Sequence, residues 1–218
     1  MTYDFSLIPR YFLDFIPAAL LTLELAAGAI LLGLVLGLLA ALARLSRSRV
    51  LSGISLGYIT LIRGTPLLLQ VLVLYYGITN IVTLSPFLAG TAAFGVHNGA
   101  YIAEILRGAI LGIDRGQTEA AHSLGMPPLL TLRRVVLPQA FKRAVPPLVN
   151  QFIIATKDSS LASVITIREL VLQARQYGSA NYALMEFLII AGIYYLLMTG
   201  TLSWLGQLLE TRLRVNER

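Results

Sequence analysis

The polar side chains of this chain that could do chemistry are few, and they stand inside long apolar segments. Glu24 lies in the first such segment, Asn98 in the third, and Lys157, Asp158 and Ser159 at the end of the fourth. Ionisable groups are costly inside a membrane and usually face a cavity, a partner or a pathway. These five residues are therefore the candidates for lining a substrate path.

Three of these candidates have alternative interpretations. Lys157 and Asp158 could bind the carboxylate and the ammonium of an amino acid, or could neutralise each other. Glu24 could face the substrate path, or could pair with Arg63. Because Gly64 follows Arg63 directly and a proline comes soon after, the arginine is interpreted first as part of a structural hinge.

Several classes of chemistry have no support in the sequence. The chain has no cysteine, which excludes disulfides and thiolate catalysis, and its two histidines have no metal-ligand spacing. It has no GxxxxGK[ST] motif for ATP and no Ser/His/Asp set. We therefore expect a chain that is not an enzyme by itself and that holds neither a metal nor a cofactor.

The composition indicates a membrane protein. Hydrophobic residues make up 56% of the 218 residues, charged residues only 13%, and the mean hydropathy is +0.75. Soluble domains carry about 25% charged residues, and only helices or closed barrels satisfy the backbone in lipid. We predict an all-α membrane protein with a single domain over residues 1–218 and five transmembrane helices. The predicted helices cover about 16–43, 54–82, 86–111, 136–156 and 183–209.

The distribution of positive charge orients these five spans. Twelve of the 17 basic residues lie on alternate connections, within 44–49, 107–143 and 212–218. The positive-inside rule then places the N-terminus outside and the C-terminus in the cytoplasm. The net charge of +6 is explained by topology, and no motif supports binding to nucleic acid. No internal repeat is evident, which disfavours an inverted-repeat secondary transporter.

One cytoplasmic segment, 116–140, is polar and rich in proline, and we call it the elbow. Thr118 is a candidate N-cap of a short helix, with Glu119 near the positive end of the helix dipole. Gly125 permits a left-handed end to that helix, and Pro138 is expected to bend the chain again. The small side chains after Glu119 are expected on the surface, where another protein could approach closely.

The elbow resembles the EAA loop of membrane permease subunits in bacterial ABC importers. The run EAAHSLG followed by VVLPQA supplies the matching residues, which are Glu119, Ala120, Ala121, Gly125 and Pro138. Three further runs, IRGTPLLLQ, AYIAEILRGAI and IIATKDSSLASVI, resemble the subgroup that carries polar amino acids. The four runs occur in order and extend the resemblance over nearly the whole chain.

This resemblance implies a fold, partners and a mechanism. It implies the type I ABC importer permease fold in the bacterial cytoplasmic (inner) membrane, with a second permease copy or a close homologue completing the pore. The elbow would dock on an ATP-binding subunit pair, which would hold ATP and Mg, and an extracytoplasmic solute-binding protein would deliver the substrate. That substrate would be a polar amino acid, and a path rich in carboxylates would suit a basic one.

Overall fold

Helices make up almost all of the chain in this computed structural model, which describes residues 3–78 and 83–214. The α-helices in these ranges are α1 (Leu7–Tyr11), α2 (Ile16–Leu45), α3 (Arg49–Arg63), α4 (Leu67–Ile78), α5 (Pro86–Leu111), α6 (Arg115–Ser123), α7 (Pro128–Thr131), α8 (Leu137–Asp158), α9 (Leu170–Asn181) and α10 (Leu184–Arg214). Phe12–Phe15 and Ser159–Ile165 are 3-10 helices, and Leu132–Val136 is a π-helix. The prediction of an all-α protein is confirmed.

The centre of the fold is the close packing of α2 against α5. Gly33 and Gly37 of α2 form the contact, because a Cβ at Gly37 would lie 2.7 Å from Ile102 Cγ2 and 2.9 Å from Gly99 O. On α5, a Cβ at Gly95 would likewise lie 2.6 Å from a side-chain atom of α2. The absence of side chains at these glycines lets the two backbones approach closely.

The second predicted span consists of two helices with a sharp bend between them, at the place where the sequence indicated a hinge. The helices α3 and α4 meet at an angle of 104°, and their axis changes direction around Gly64 and Pro66. Pro66 has no N–H to donate, and it disfavours helical backbone at the residue before it. The side chain of Gln70 stabilises the bend by donating to Ile62 O at 2.7 Å and Thr65 O at 3.1 Å. Residues 79–82, the predicted end of this span, lie outside the described residues.

Two helical stretches of the described chain are long and apolar enough to cross a membrane, namely Leu7–Leu45 and Leu184–Leu213. The bent pair α3 and α4 would add a third if it forms one span. α5 and α8 are interrupted by polar residues, among them the buried Asn98 and Gln151. Gln151 Nε2 donates to Asn98 Oδ1 at 2.8 Å, so these two amides satisfy each other inside the bundle.

Pro138 is accommodated inside a helix that continues through it. The π-helical turn comes immediately before α8, where the N–H of Leu137 bonds to Leu132 O. A proline donates no hydrogen bond and pushes away the carbonyl one turn earlier, and the wider π turn makes room for it. Where the sequence led us to expect a bend at Pro138, the structure has a π-helical turn that leads directly into α8.

A buried carboxylate fixes the end of the bundle where α9 begins. Glu169 is fully buried, and it accepts hydrogen bonds from the N–H groups of Val171 at 2.8 Å and Leu172 at 2.9 Å. Tyr195 of α10 donates its hydroxyl to the same carboxylate at 3.0 Å. Thr22 of α2 adds a fourth contact by accepting the N–H at the first residue of α9. We call these side chains the α9 anchor, which joins α2, α9 and α10.

Candidate functional site

The helix of the elbow, α6, begins earlier than the sequence suggested. Its N-cap is Asp114, whose Oδ1 accepts the N–H of Gly116 at 2.7 Å. The prediction that Thr118 is the N-cap is therefore wrong, because the carboxylate of Asp114 already supplies the cap and Thr118 lies within the helix. Glu119 is exposed in the second turn of α6.

Gly125 ends α6 in the way its residue type predicts. Its φ is +77°, in the left-handed region that favours glycine. Its N–H donates to His122 O at 2.9 Å, and the N–H of Met126 donates to Ala121 O at 3.1 Å. A Cβ at Gly125 would meet no atom within 4 Å. The requirement for glycine here is thus one of backbone conformation and not of space.

The surface of the elbow differs from the expected one. Ala120 is exposed, but Ala121 is buried at 5%, so only one of the two alanines could contact another protein. Two leucines that were not singled out are far more exposed, Leu124 at 83% and Leu129 at 77%. A leucine within a polar, cytoplasmic segment is the sequence signal that could have found them. Large apolar side chains that cluster on a surface mark contact sites.

Two side chains of α8 hold the elbow and its flanking helices together. Arg143 of α8 donates to Gly112 O at the end of α5. Gln139 donates to Val135 O at 2.9 Å and to Gln117 Oε1 of α6 at 3.4 Å. α6 is thus bonded to the start of α8, which is bonded in turn to the end of α5.

The structure separates the five candidates for the substrate path. Asn98 is fully buried, bonded to Phe94 O at 2.8 Å and to the side chain of Gln151. Glu24 is exposed on α2. The alternative in which it pairs with Arg63 is wrong, because the guanidinium of Arg63 lies over the ring of Tyr101 at 5.2 Å.

The three candidates at the end of α8 differ in exposure. Lys157 is exposed and Asp158 is half-buried, and among the residues described they form no ion pair with each other. Ser159 is buried, and its hydroxyl donates to Thr156 O at 2.7 Å. The two charged groups are thus free to meet a ligand, whereas the hydroxyl of Ser159 is already used within the chain.

A polar cavity that the sequence did not reveal lies between α2, α3 and α5. Its volume is about 400 Å³, and its lining includes three arginines, Arg44, Arg63 and Arg107. Arg107 pairs with Glu104, three residues earlier on α5, at 2.8 Å. The guanidinium groups outnumber the single carboxylate, so the cavity attracts anionic groups such as a carboxylate. Arg44 was interpreted only as a topology signal, and its distance in sequence from the other residues concealed the cluster.

No three His, Asp or Glu side chains come together as a metal site would require in the part of the chain that the structure describes. The candidate site therefore consists of an elbow with exposed apolar residues and of polar groups within and at the ends of the long helices.

The model of a known protein family matches residues 33–215 of this chain. The family is described as the inner membrane component of binding-protein-dependent transport systems. The chain belongs to this family.

Relatives of this permease agree with that assignment over their full length. It is 36% identical to the arginine transport system permease protein ArtQ of Bacillus subtilis, covering all of both chains. It is 37% identical to the glutamine transport system permease protein GlnP of Escherichia coli, covering 99% of this chain and 100% of that one.

A solved structure of an amino acid ABC transporter with histidines contains a chain of the same fold. That chain is 39% identical to this permease, with a TM-score of 0.93, over 97% of this chain and 100% of the other. The permease is thus an inner membrane protein with several apolar helices. Like its homologues it is not catalytic by itself, because the ATPase activity of such transporters is on a separate subunit.

Proposed function

We propose that this permease is a pore subunit of an ATP-driven importer for polar amino acids, basic amino acids included. The single observation that carries the proposal is the elbow, a capped helix with exposed apolar residues that is bonded to the start of α8. The arginine and glutamine permeases that are similar over the full length support the substrate class.

In this proposal residues 1–218 form a single transmembrane domain that crosses the membrane five times. The spans are α2, the bent pair α3 and α4, α5, α8 and α10, with the N-terminus outside and the C-terminus in the cytoplasm. The concentration of basic residues on alternate connections supports this topology. The amides of Asn98 and Gln151 allow α5 and α8 to occupy the interior of the bundle despite their polarity.

The elbow couples the pore to the ATP-binding subunits. Glu119, Ala120 and the neighbouring Leu124 contact a groove on one ATP-binding subunit, which holds ATP and Mg. Ala121, Gly125 and Pro138 act from within, since they set the packing and the shape of the elbow. Closure of two ATP-binding subunits pulls on two elbows, which rocks two permease subunits between inward- and outward-facing states.

Substrate delivered by an extracytoplasmic solute-binding protein moves along the polar groups of the bundle. Asp158 and Lys157 provide charges for the ammonium and the carboxylate of an amino acid, and Glu24 faces the same path. Asn98 and Ser159 shape that path from buried positions. The cavity lined by the three arginines extends it toward the elbow, where it attracts the substrate carboxylate.

Chemical cross-linking tests the docking of the elbow directly, because the chain has no cysteine of its own. Glu119→Cys should cross-link to the ATP-binding subunit in the assembled transporter. Tyr182→Cys, at a residue 98% exposed at the opposite end of the bundle, is the matched control and should not. Cross-linking from Tyr182→Cys and none from Glu119→Cys would overturn both the docking and the orientation.

A further inference from the structure

A crevice at the elbow end of the bundle has a chemistry that transport does not use. It lies between the end of α5, the start of α8 and the end of α10, and its volume is about 400 Å³. Ile113, Pro146 and Leu213 form its apolar walls, and Lys142 and Arg143 supply two adjacent cations. We call it the α8–α10 crevice.

The two cations are held differently. Arg143 is fixed by its bond to Gly112 O, and a Cβ at Gly112 would lie 3.2 Å from Arg143 Nη1. Guanidinium has five N–H donors, so most of them are left for a ligand. Lys142 is half-buried, and its ammonium has no bonded partner among the residues described. The crevice thus presents a fixed cation beside a mobile one.

The opposite wall limits what can bind. Glu210 supplies one carboxylate there, and it already has an interaction of its own. The two cations outnumber it, so the crevice attracts a compact anion at the α8 side. Phosphate oxygens are strong acceptors for both guanidinium and ammonium.

The surroundings favour a lipid over an ion from solution. On α10, within two turns of Glu210, the residues Trp204, Leu205, Leu208 and Leu209 are all between 43% and 59% exposed. Phe141, next to Lys142, is 65% exposed. In a membrane these apolar side chains are covered by lipid, so anionic headgroups are the phosphates that lie beside the two cations of the crevice.

We propose that the α8–α10 crevice binds the phosphate of an anionic phospholipid through Lys142 and Arg143. Basic pockets between transmembrane helices near a membrane surface recognise anionic headgroups in this way. The proposal rests on the chain being embedded in a membrane, as in the proposed function, but not on its orientation or on coupling to ATP. The lipid holds the ends of α5, α8 and α10 together close to the elbow.

Native mass spectrometry of the purified full chain tests this site. The chain is loaded with phosphatidylglycerol and phosphatidylcholine of identical acyl chains, and the retained lipid is counted. The wild type should retain phosphatidylglycerol about 25-fold better, since each of the two basic residues at the headgroup contributes about five-fold. Lys142→Gln should lower this ratio about five-fold, and Lys142→Arg should restore it.

A matched control and a second ligand make the test decisive. Arg47→Gln removes the same charge from an exposed residue of the α2–α3 connection and should leave the preference unchanged. Inorganic phosphate should not displace the bound lipid or raise the melting temperature, which would distinguish a lipid site from a free-phosphate site. An equal ratio for wild type and Lys142→Gln, or displacement by phosphate, overturns the proposal. No ATP-binding subunit is present, so failed coupling cannot be mistaken for this result.

Discussion

The two ends of the helix bundle differ in whether their functional side chains are buried or exposed. At the α9 anchor, the carboxylate of Glu169 is fully buried and bonded to two backbone N–H groups and to Tyr195. At the elbow, Glu119 and Leu124 are exposed. The anchor satisfies its groups within the chain, whereas the elbow leaves them available to another protein.

This difference teaches where stability and function reside in the permease. A buried carboxylate with its bonds satisfied contributes to the fold, since removing it leaves donors unpaired away from water. Exposed side chains contribute little to folding, so they can be selected for contact with a partner. Substitutions at the anchor should therefore change stability, and substitutions at the elbow should change assembly and coupling.

The largest effect is expected at the anchor. Glu169→Ala leaves two N–H groups at the start of α9 and the hydroxyl of Tyr195 without their acceptor. The free energy of unfolding should fall by about 3 kcal/mol, measured as a lower melting temperature of the purified permease. Glu119→Ala removes an exposed carboxylate from the elbow and is the matched control. Equal melting temperatures for the two variants would contradict the division between the two ends.

The next largest effect is expected at the elbow, where a substitution should weaken binding of the ATP-binding subunit without lowering stability. Leu124→Ala should weaken binding of the ATP-binding subunit about ten-fold, because the interface would bury less apolar surface. The melting temperature of the isolated permease should not change. Titration of the ATP-binding subunit against the reconstituted permease measures the affinity. Leu31→Ala removes an equally large exposed side chain from α2, and an equal loss of affinity there would refute a specific role for Leu124.

Sequence patterns predicted the bounds of the long helices more accurately than the details of the elbow. The bounds of α5 were predicted to the residue, and those of α2 and α8 within two residues, because apolar runs mark helices clearly. Gly125 was also predicted, because a left-handed backbone at the end of a helix favours glycine. The position of the N-cap was not, because Asp114 and Thr118 are both good cap residues and tertiary packing chooses between them.

Contacts between distant parts of the sequence account for the remaining differences. The arginine cavity joins residues of α2, α3 and α5, and no local pattern reveals that they meet. The pairing of Arg63 with Tyr101 and not with Glu24 depends in the same way on how the helices pack. The angle of 104° between α3 and α4 is set by Gln70 as well as by proline. The sequence predicts the existence of a hinge there but not its angle.

A smaller effect is expected at Gly125, where the backbone and not the surface is tested. Gly125→Ala introduces a Cβ at positive φ, which costs about 1–2 kcal/mol and loosens the end of α6. Uptake per ATP hydrolysed should fall several-fold in proteoliposomes while the complex still assembles. Gly125→Asn should be milder, because asparagine tolerates the left-handed region. Gly53→Ala, at a helical glycine with equally open space, should leave the ratio unchanged.

The smallest effect is expected at Asp158, in the proposed substrate path, which belongs neither to the α9 anchor nor to the elbow. Asp158→Asn removes the half-buried carboxylate at the end of α8 without removing its volume. If this carboxylate meets the charge of a basic substrate, uptake of arginine or lysine should fall about five-fold, as for the loss of a modest charge pair. Assembly with the ATP-binding subunit should change little. Asp158→Glu keeps the charge at this position, so it is the matched control and should retain arginine uptake. Unchanged arginine uptake in Asp158→Asn would remove this residue from the site, and the exposed Glu24 would then be the carboxylate to test.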